Sequence, residues 1–221
     1  LSLHDALPIC STGTVKFTNS KAPVTISAGA ALGSYARHLN AIDAGASPTL
    51  TLTGGNEIHV GSIEATEVVL NNTKLGVYGA GATKYTVNGA ATILTKSVMG
   101  KDGALTLNYK SDDNLTLGDK VDLYASAITV DAALGGTNKG TLTLTGDNKV
   151  VIGAAGTSDK ALNIIDIQSA AGKKVTISAS DAKGADLYAA AVRFGAGSTT
   201  TTSLDLGVNL HGSVTNTSGA A

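Results

Sequence analysis

Outside the first ten residues the chain holds three histidines, His38, His59 and His211, and no cysteine. A histidine can serve as a general base beside a Ser or Cys nucleophile, or as a zinc ligand. No two of the three fall at metal-ligand spacing, so the set points to no zinc site. His59 lies between Ile58 and Val60 in an alternating stretch, which places it on the opposite side of a strand, outward and wet. The densest group of carboxylates is Asp112, Asp113, Asp119 and Asp122. Stacked turns of chain could join some of them into an acid/base pair or a calcium site. Lys110 and Lys120 lie among them, and a solvated, charge-balanced loop is the plainer reading. Gly79-Ala80-Gly81-Ala82-Thr83-Lys84 and Gly172-Lys173-Lys174-Val175 have the glycines and lysines of a phosphate loop but not its Gly-Lys-Ser/Thr ending. The glycosylation-type triplets at Asn71, Asn114 and Asn216 are what an Asn- and Thr-rich chain produces by chance. The expectation is a non-enzymatic chain with no cofactor.

The elements that would carry these residues are short strands. Apolar residues alternate with Thr, Ser, Asn or a charge in Val24 to Ser27, Thr49 to Thr53, Glu57 to Val60, Ala104 to Tyr109, Asn114 to Leu117, Thr141 to Thr145, Lys174 to Ser178 and Ser203 to Leu210. Period two marks strands with one buried and one wet face, and the β-branched residues suit a pleated surface. Gly-, Asn- and Asp-rich clusters between them, such as Gly54-Gly55-Asn56 and Gly146-Asp147-Asn148, are turn-formers. Ala31 to Ala44 has Leu32, Tyr35, Leu39 and Ile42 at helical spacing, but Gly29, Gly33 and Gly45 reduce it to a loop or one short helical excursion. Leu187 to Val192 is Ala-rich and is read as strand.

Of 221 residues 43% are hydrophobic but only 4% aromatic, with no Trp, so any core is built from small and aliphatic side chains. The net charge of −1, from 16 basic and 17 acidic residues, leaves no basic stripe for nucleic acid. No apolar run approaches the ~20 residues that span a bilayer, so this stretch is not expected to insert in a membrane.

Internal repeats set the fold class. Thr49-Leu50-Thr51-Leu52-Thr53-Gly54 returns as Thr141-Leu142-Thr143-Leu144-Thr145-Gly146, with Asn56 and Asn148 two places on. Asp122-Leu123-Tyr124-Ala125 returns from Asp186, and Val24-Thr25-Ile26-Ser27-Ala28 from Val175. Taken as four, three and seven turns, these separations give about 21–23 residues per turn, within the range of solenoid periods. The expected architecture is all-β: a parallel β-helix, or β-solenoid, of roughly nine or ten irregular coils with two or three strands each. An antiparallel β-sandwich is the alternative.

Val24 to Ser27, the Thr49 to Gly54 unit and the tail from Ser203 to Asn216 resemble the passenger region of bacterial autotransporters. The tail is similar in particular to rickettsial surface cell antigens of the outer-membrane-protein-B type. The resemblance covers residues 11–221 and rests on texture and short repeats. It implies a β-helical passenger on the bacterial cell surface, exported through a C-terminal outer-membrane barrel that lies outside this chain. It implies host-cell or neighbouring-cell surface molecules as partners, and carries over no site residue. Residues 1–10, Leu1 to Cys10, do not match this texture. They look like translated vector or adapter sequence, or a real but atypical entry segment. The expectation is therefore a fragment: 1–10 apart, 11–221 a solenoid whose true ends lie elsewhere.

Overall fold

The computed structural model describes residues 2–3, 13–17, 22–45, 47, 49–100, 104–131, 139–195 and 202–217. Among them no helix occurs. The strands are β1 (Ser2–Leu3), β2 (Thr14–Lys16), β3 (Val24–Ala28), β4 (Leu39–Asp43), β5 (Leu50–Thr53), β6 (Glu57–Glu64), β7 (Val68–Asn71), β8 (Lys74–Val77), β9 (Lys84–Val87), β10 (Ala91–Ile93) and β11 (Val98–Met99). Then come β12 (Leu105–Tyr109), β13 (Asn114–Leu117), β14 (Asp122–Val130), β15 (Thr141–Leu144), β16 (Asn148–Ala155), β17 (Leu162–Ile167), β18 (Lys174–Ala179), β19 (Asp186–Phe194), β20 (Ser203–Gly207) and β21 (Asn209–Asn216). All pairings between them are parallel, which rules out the antiparallel sandwich. The chain is a β-solenoid of about eight turns, rather than nine or ten coils.

One ladder runs the length of the rod: Val24, Leu50, Val68, Tyr85, Leu107, Ile128, Ala155, Leu187 and Leu210, each paired with the next. At ~4.8 Å per rung it is on the order of 40 Å long. Each turn has three faces. The first face holds β3, β5, β7, β9, β12 and parts of β14, β16, β19 and β21. The second holds the start of β6, then β8, β10, β13, β15, β17 and the ends of β19 and β21. The third holds β4, β11, the starts of β14 and β16, β18 and β20. Long strands such as β6 and β14 bend around a corner and serve two faces.

The turn length varies from 17 residues, Val68 to Tyr85, to 32, Ala155 to Leu187. The sequence repeats are not whole turns. The Thr49 unit lies on the first face and continues into the second. The Thr141 unit lies on the second and continues into the third. Its displacement is four turns and one face. The Asp122 and Asp186 units are displaced by two turns and one face, and the Val24 and Val175 units by six turns and two faces. The repeating unit is a strand plus its corner, and any of the three faces accepts it because each makes the same demand of two inward apolar residues.

The corner residues explain why that unit ends as it does. Gly54 adopts φ +115°, and a Cβ there would lie 2.6 Å from the Ala28 carbonyl oxygen of the turn before. Asn56 then donates its amide to that same carbonyl at 2.8 Å. Asn148 does the equivalent job at its own corner, donating to the Gly118 carbonyl at 2.7 Å, and is itself buried.

Inside, Leu50, Leu52, Ile58, Leu75, Ile93 and Leu117 are fully buried, each worth ~1.5–3 kcal/mol in area terms. Tyr85 and Tyr109 also lie wholly inside. The Tyr109 hydroxyl donates to the Thr141 carbonyl at 3.1 Å, and the Tyr85 oxygen accepts from the Ala82 amide at 3.3 Å. Ala31 to Ala44 contains no helical turn. Ser34 and Arg37 close a tight antiparallel turn, and the segment then enters β4. The glycines that weaken a helix there win. β19 is strand, as its alternation implies. Of residues 1–10 only Ser2 and Leu3 are described, paired with Ser27 and Ala28. The rest of that segment lies outside the described residues.

Candidate functional site

The acidic cluster is divided by the fold. Asp112 and Asp113 stand at the corner before β13, whereas Asp119 and Asp122 stand beyond its far end. Four residues of strand put on the order of 13 Å between them. Their partners come from other turns. Asp112 accepts the Gly140 amide at 3.3 Å, with the Lys139 ammonium at 3.8 Å. Asp113 accepts from Ser111, and Asp122 from the Tyr124 hydroxyl at 3.4 Å. Asp119 accepts the Asp147 amide at 3.0 Å and pairs with Lys173 at 3.0 Å, which hold its carboxyl below the usual range. Lys173 also reaches Asp147 at 3.3 Å, and these two carboxylates raise its own pKa. The cations in contact with the cluster are thus Lys139 and Lys173, and Lys120 adds a smaller attraction at Asp119. Among the described residues no group of three or more His, Cys, Asp or Glu could hold a metal ion.

His211 is exposed on β21, stacked on Tyr188 of the rung below at 4.1 Å between ring centroids. Its Nε2 lies 3.0 Å from Asp186, and this contact is the main reason the Asp186 carboxyl sits low.

The gathering that sequence reasoning missed surrounds His59. Its side chain points away from Ile58 and Val60, as alternation requires, yet it is only 6% exposed, because other turns cover it. Tyr78, one turn later, lies over it, the rings 6.0 Å apart and 19° from parallel. The space for that overlap is Gly76, which is paired with His59 across the ladder. A Cβ there would collide with the Tyr78 hydroxyl. Tyr35, from the Ser34–Arg37 turn one coil earlier, meets Tyr78 edge-on at 5.1 Å and 83°. His38 leans on Tyr78 at 5.2 Å.

Three groups form a hydrogen-bonded line. Tyr78 Oη is 2.7 Å from His59 Nδ1, and His59 Nε2 is 3.0 Å from Glu57 Oε2. With Glu57 ionised, Nε2 carries the proton and Nδ1 accepts from the Tyr78 hydroxyl. Burial first, then the Glu57 charge and Tyr35, push the Tyr78 phenol up to about 12. It therefore remains a neutral donor across the ordinary pH range. The order carboxylate, imidazole, hydroxyl is that of a nucleophile relay, but a phenol held this firmly in its protonated form is a poor nucleophile. What the line does is lock the ring of Tyr78.

Lys96 completes the site from a fourth turn. Its backbone is left-handed, φ +65°, a conformation that costs a non-Gly residue on the order of 1 kcal/mol. The turn is fixed by Ser97, whose amide donates to the Leu94 carbonyl and whose buried hydroxyl accepts the Val77 amide. The result is the Lys96 ammonium 4.5 Å above the Tyr35 ring. Tyr35, Glu57, His59, Tyr78 and Lys96 thus line a cavity of about 280 Å³. One part of it is visible in sequence: Glu57 and His59 are two apart on a strand and so share its outer face. A second cavity, of about 230 Å³, lies on the corner near Asn72 and Lys74 and has no aromatic ring.

Compared with protein-family models, with curated proteins and with solved structures, this chain finds no match in any of the three.

Proposed function

We propose that the chain is a stretch of a surface-displayed bacterial autotransporter passenger, acting as a stalk and as an adhesive surface for host or neighbouring cells. The observation that carries this reading is the uninterrupted ladder from Val24 to Leu210, a rod built without any helix among the described residues. A rod of this kind spaces and presents, and side chains from successive turns make an extended outer surface. That surface is charge-matched between rungs: Lys16 with Asp43, Lys84 with Glu67, Lys174 with Asp205 and Arg193 with Asp166. Such a surface favours short-range recognition over long-range attraction to a polyanion. The resemblance of Val24 to Ser27, Thr49 to Gly54 and Ser203 to Asn216 to autotransporter passengers supports the same reading.

The test is display of the whole chain on a heterologous outer-membrane barrel. Cells carrying it should adhere to a host or bacterial cell layer more than cells carrying the barrel alone. Equal adhesion would reduce the chain to a passive spacer. Release of reducing sugar from a polysaccharide, lost in the Asp113→Ala, Asp122→Ala double variant, would instead establish a carbohydrate-active enzyme.

A further inference from the structure

We propose that the cavity framed by Tyr35, Tyr78, Glu57 and Lys96 is a subsite for one neutral, hexose-type sugar ring of a glycan. Three properties point to that chemical class. The first is shape: Tyr35 and Tyr78 meet at 83° and make an aromatic corner. Tyr35 is 51% exposed, a large apolar ring half open to solvent with the Lys96 ammonium over one face. An aromatic face takes the C–H face of a sugar ring, apolar on one side and polar at its rim. The second is polarity. Glu57 keeps one oxygen on His59, and its Oε1 has no hydrogen-bond partner among the described residues. The Lys96 ammonium lines the same cavity and stands over the Tyr35 ring. A separate acceptor and donor match two different hydroxyls of one ring, and the carboxylate disfavours an anionic sugar while the ammonium disfavours a cationic one. The third is size and rigidity. About 280 Å³ is small for a ligand site, enough for one ring but not for a longer ligand. Four successive turns supply the walls, Tyr78 is locked by His59, and Lys96 is held by its left-handed turn. Little ordering is left to be done on binding.

This proposal deepens the adhesive reading and rests on it only for where the glycan would be met. The test uses the purified whole chain, titrated by calorimetry with maltotriose, cellotriose, mannotriose and lactose, and with trigalacturonate as the anionic probe. The expected result is saturable binding of at least one neutral oligosaccharide with a Kd at or below ~1 mM, as weak single-ring contacts give. Tyr35→Ala should weaken it at least tenfold, and Glu57→Gln should weaken it as well. Tyr35→Ala should leave the melting curve unchanged, because the ring is half exposed, so loss of binding is not loss of fold. Absence of binding by every neutral probe at 10 mM (an upper limit on the order of 3 kcal/mol of affinity), equal binding by Tyr35→Ala, or preference for trigalacturonate would overturn the proposal. Adhesion of displaying cells that persists in Tyr35→Ala removes the subsite and leaves the adhesive surface. Sugar binding by the purified chain without any cell adhesion does the reverse.

Discussion

Arg193 stacks one rung above Asp166 on the outer side of the second face and grips it with two hydrogen bonds, Nε to Oδ1 at 3.1 Å and Nη2 to Oδ2 at 2.9 Å. The Asp166 side chain is 3% exposed and the Arg193 side chain 33%. Gln168 adds a third donor to the carboxylate at 2.6 Å. The pair interrupts a threonine ladder that runs Thr92, Thr116, Thr143 below it and resumes at Thr215 above.

Arg193→Ala should therefore destabilise by about 2–3 kcal/mol. Removing one partner of a buried pair costs ~3–5 kcal/mol, reduced here because the arginine is one-third in water. Asp166→Thr combined with Arg193→Thr should recover most of that loss by continuing the ladder. Denaturant unfolding of the three proteins checks it; a double variant weaker than Arg193→Ala would mean that the ladder does not tolerate the exchange.

Thr73 occupies an inward position, one residue before the Lys74 that pairs with Thr92, and its hydroxyl is buried with no hydrogen-bond partner among the described residues. Thr73→Val keeps the shape and removes the stranded hydroxyl, so it should stabilise by about 1 kcal/mol. A lower denaturation midpoint for Thr73→Val would show that the hydroxyl is satisfied in solution.

Burial pushes the Tyr85 phenol up to about 12 and the Tyr109 phenol up as well. A folded phenol that binds its proton more tightly than the unfolded one gives stability that is complete below pH ~10. That stability is lost as pH rises from there through the folded value, up to roughly 2–3 kcal/mol for Tyr85. Thermal melts from pH 9 to 11.5 should fall more steeply for the native chain than for Tyr85→Phe. Parallel curves would place Tyr85 in contact with solvent.

The unequal turns make a sharp deletion test. Removing residues 107–127 takes out one turn on the Leu107–Ile128 rung and leaves every strand beneath its proper face. The shortened chain should fold with a strand signal per residue equal to the parent, by circular dichroism. Removing 107–120, which cuts β12 after two residues and so takes out neither a turn nor a whole strand-and-corner unit, should lose cooperative unfolding. Equal behaviour of the two would contradict stacking as the source of stability.

How far the sequence carried these conclusions depends on whether a feature is local. The strands, their inward residues and the Gly54–Asn56 corner follow from alternation and turn chemistry within a dozen residues. The repeats of Thr49, Asp122 and Val24 revealed stacking but hid the face, since a strand and corner fit all three alike. The site around His59 was out of reach. Tyr35 and Tyr78 meet only because the Leu50 and Val68 rungs set their heights, and turn lengths between 17 and 32 residues cannot be read from composition. The partners of Asp112 to Asp122 were hidden for the opposite reason. Residues close in sequence were carried around a corner, while Lys139 and Lys173, more distant in sequence, were brought to them.

That the repeated unit is a strand with its corner has a consequence for how such a rod can change over generations. Duplicating one unit adds a third of a turn, and everything downstream is rotated by one face about the long axis while its own folding is untouched. A gene altered in this way alters the bearing of its distal surface relative to the Tyr35–Tyr78 corner, much as adding a tooth re-times a gear.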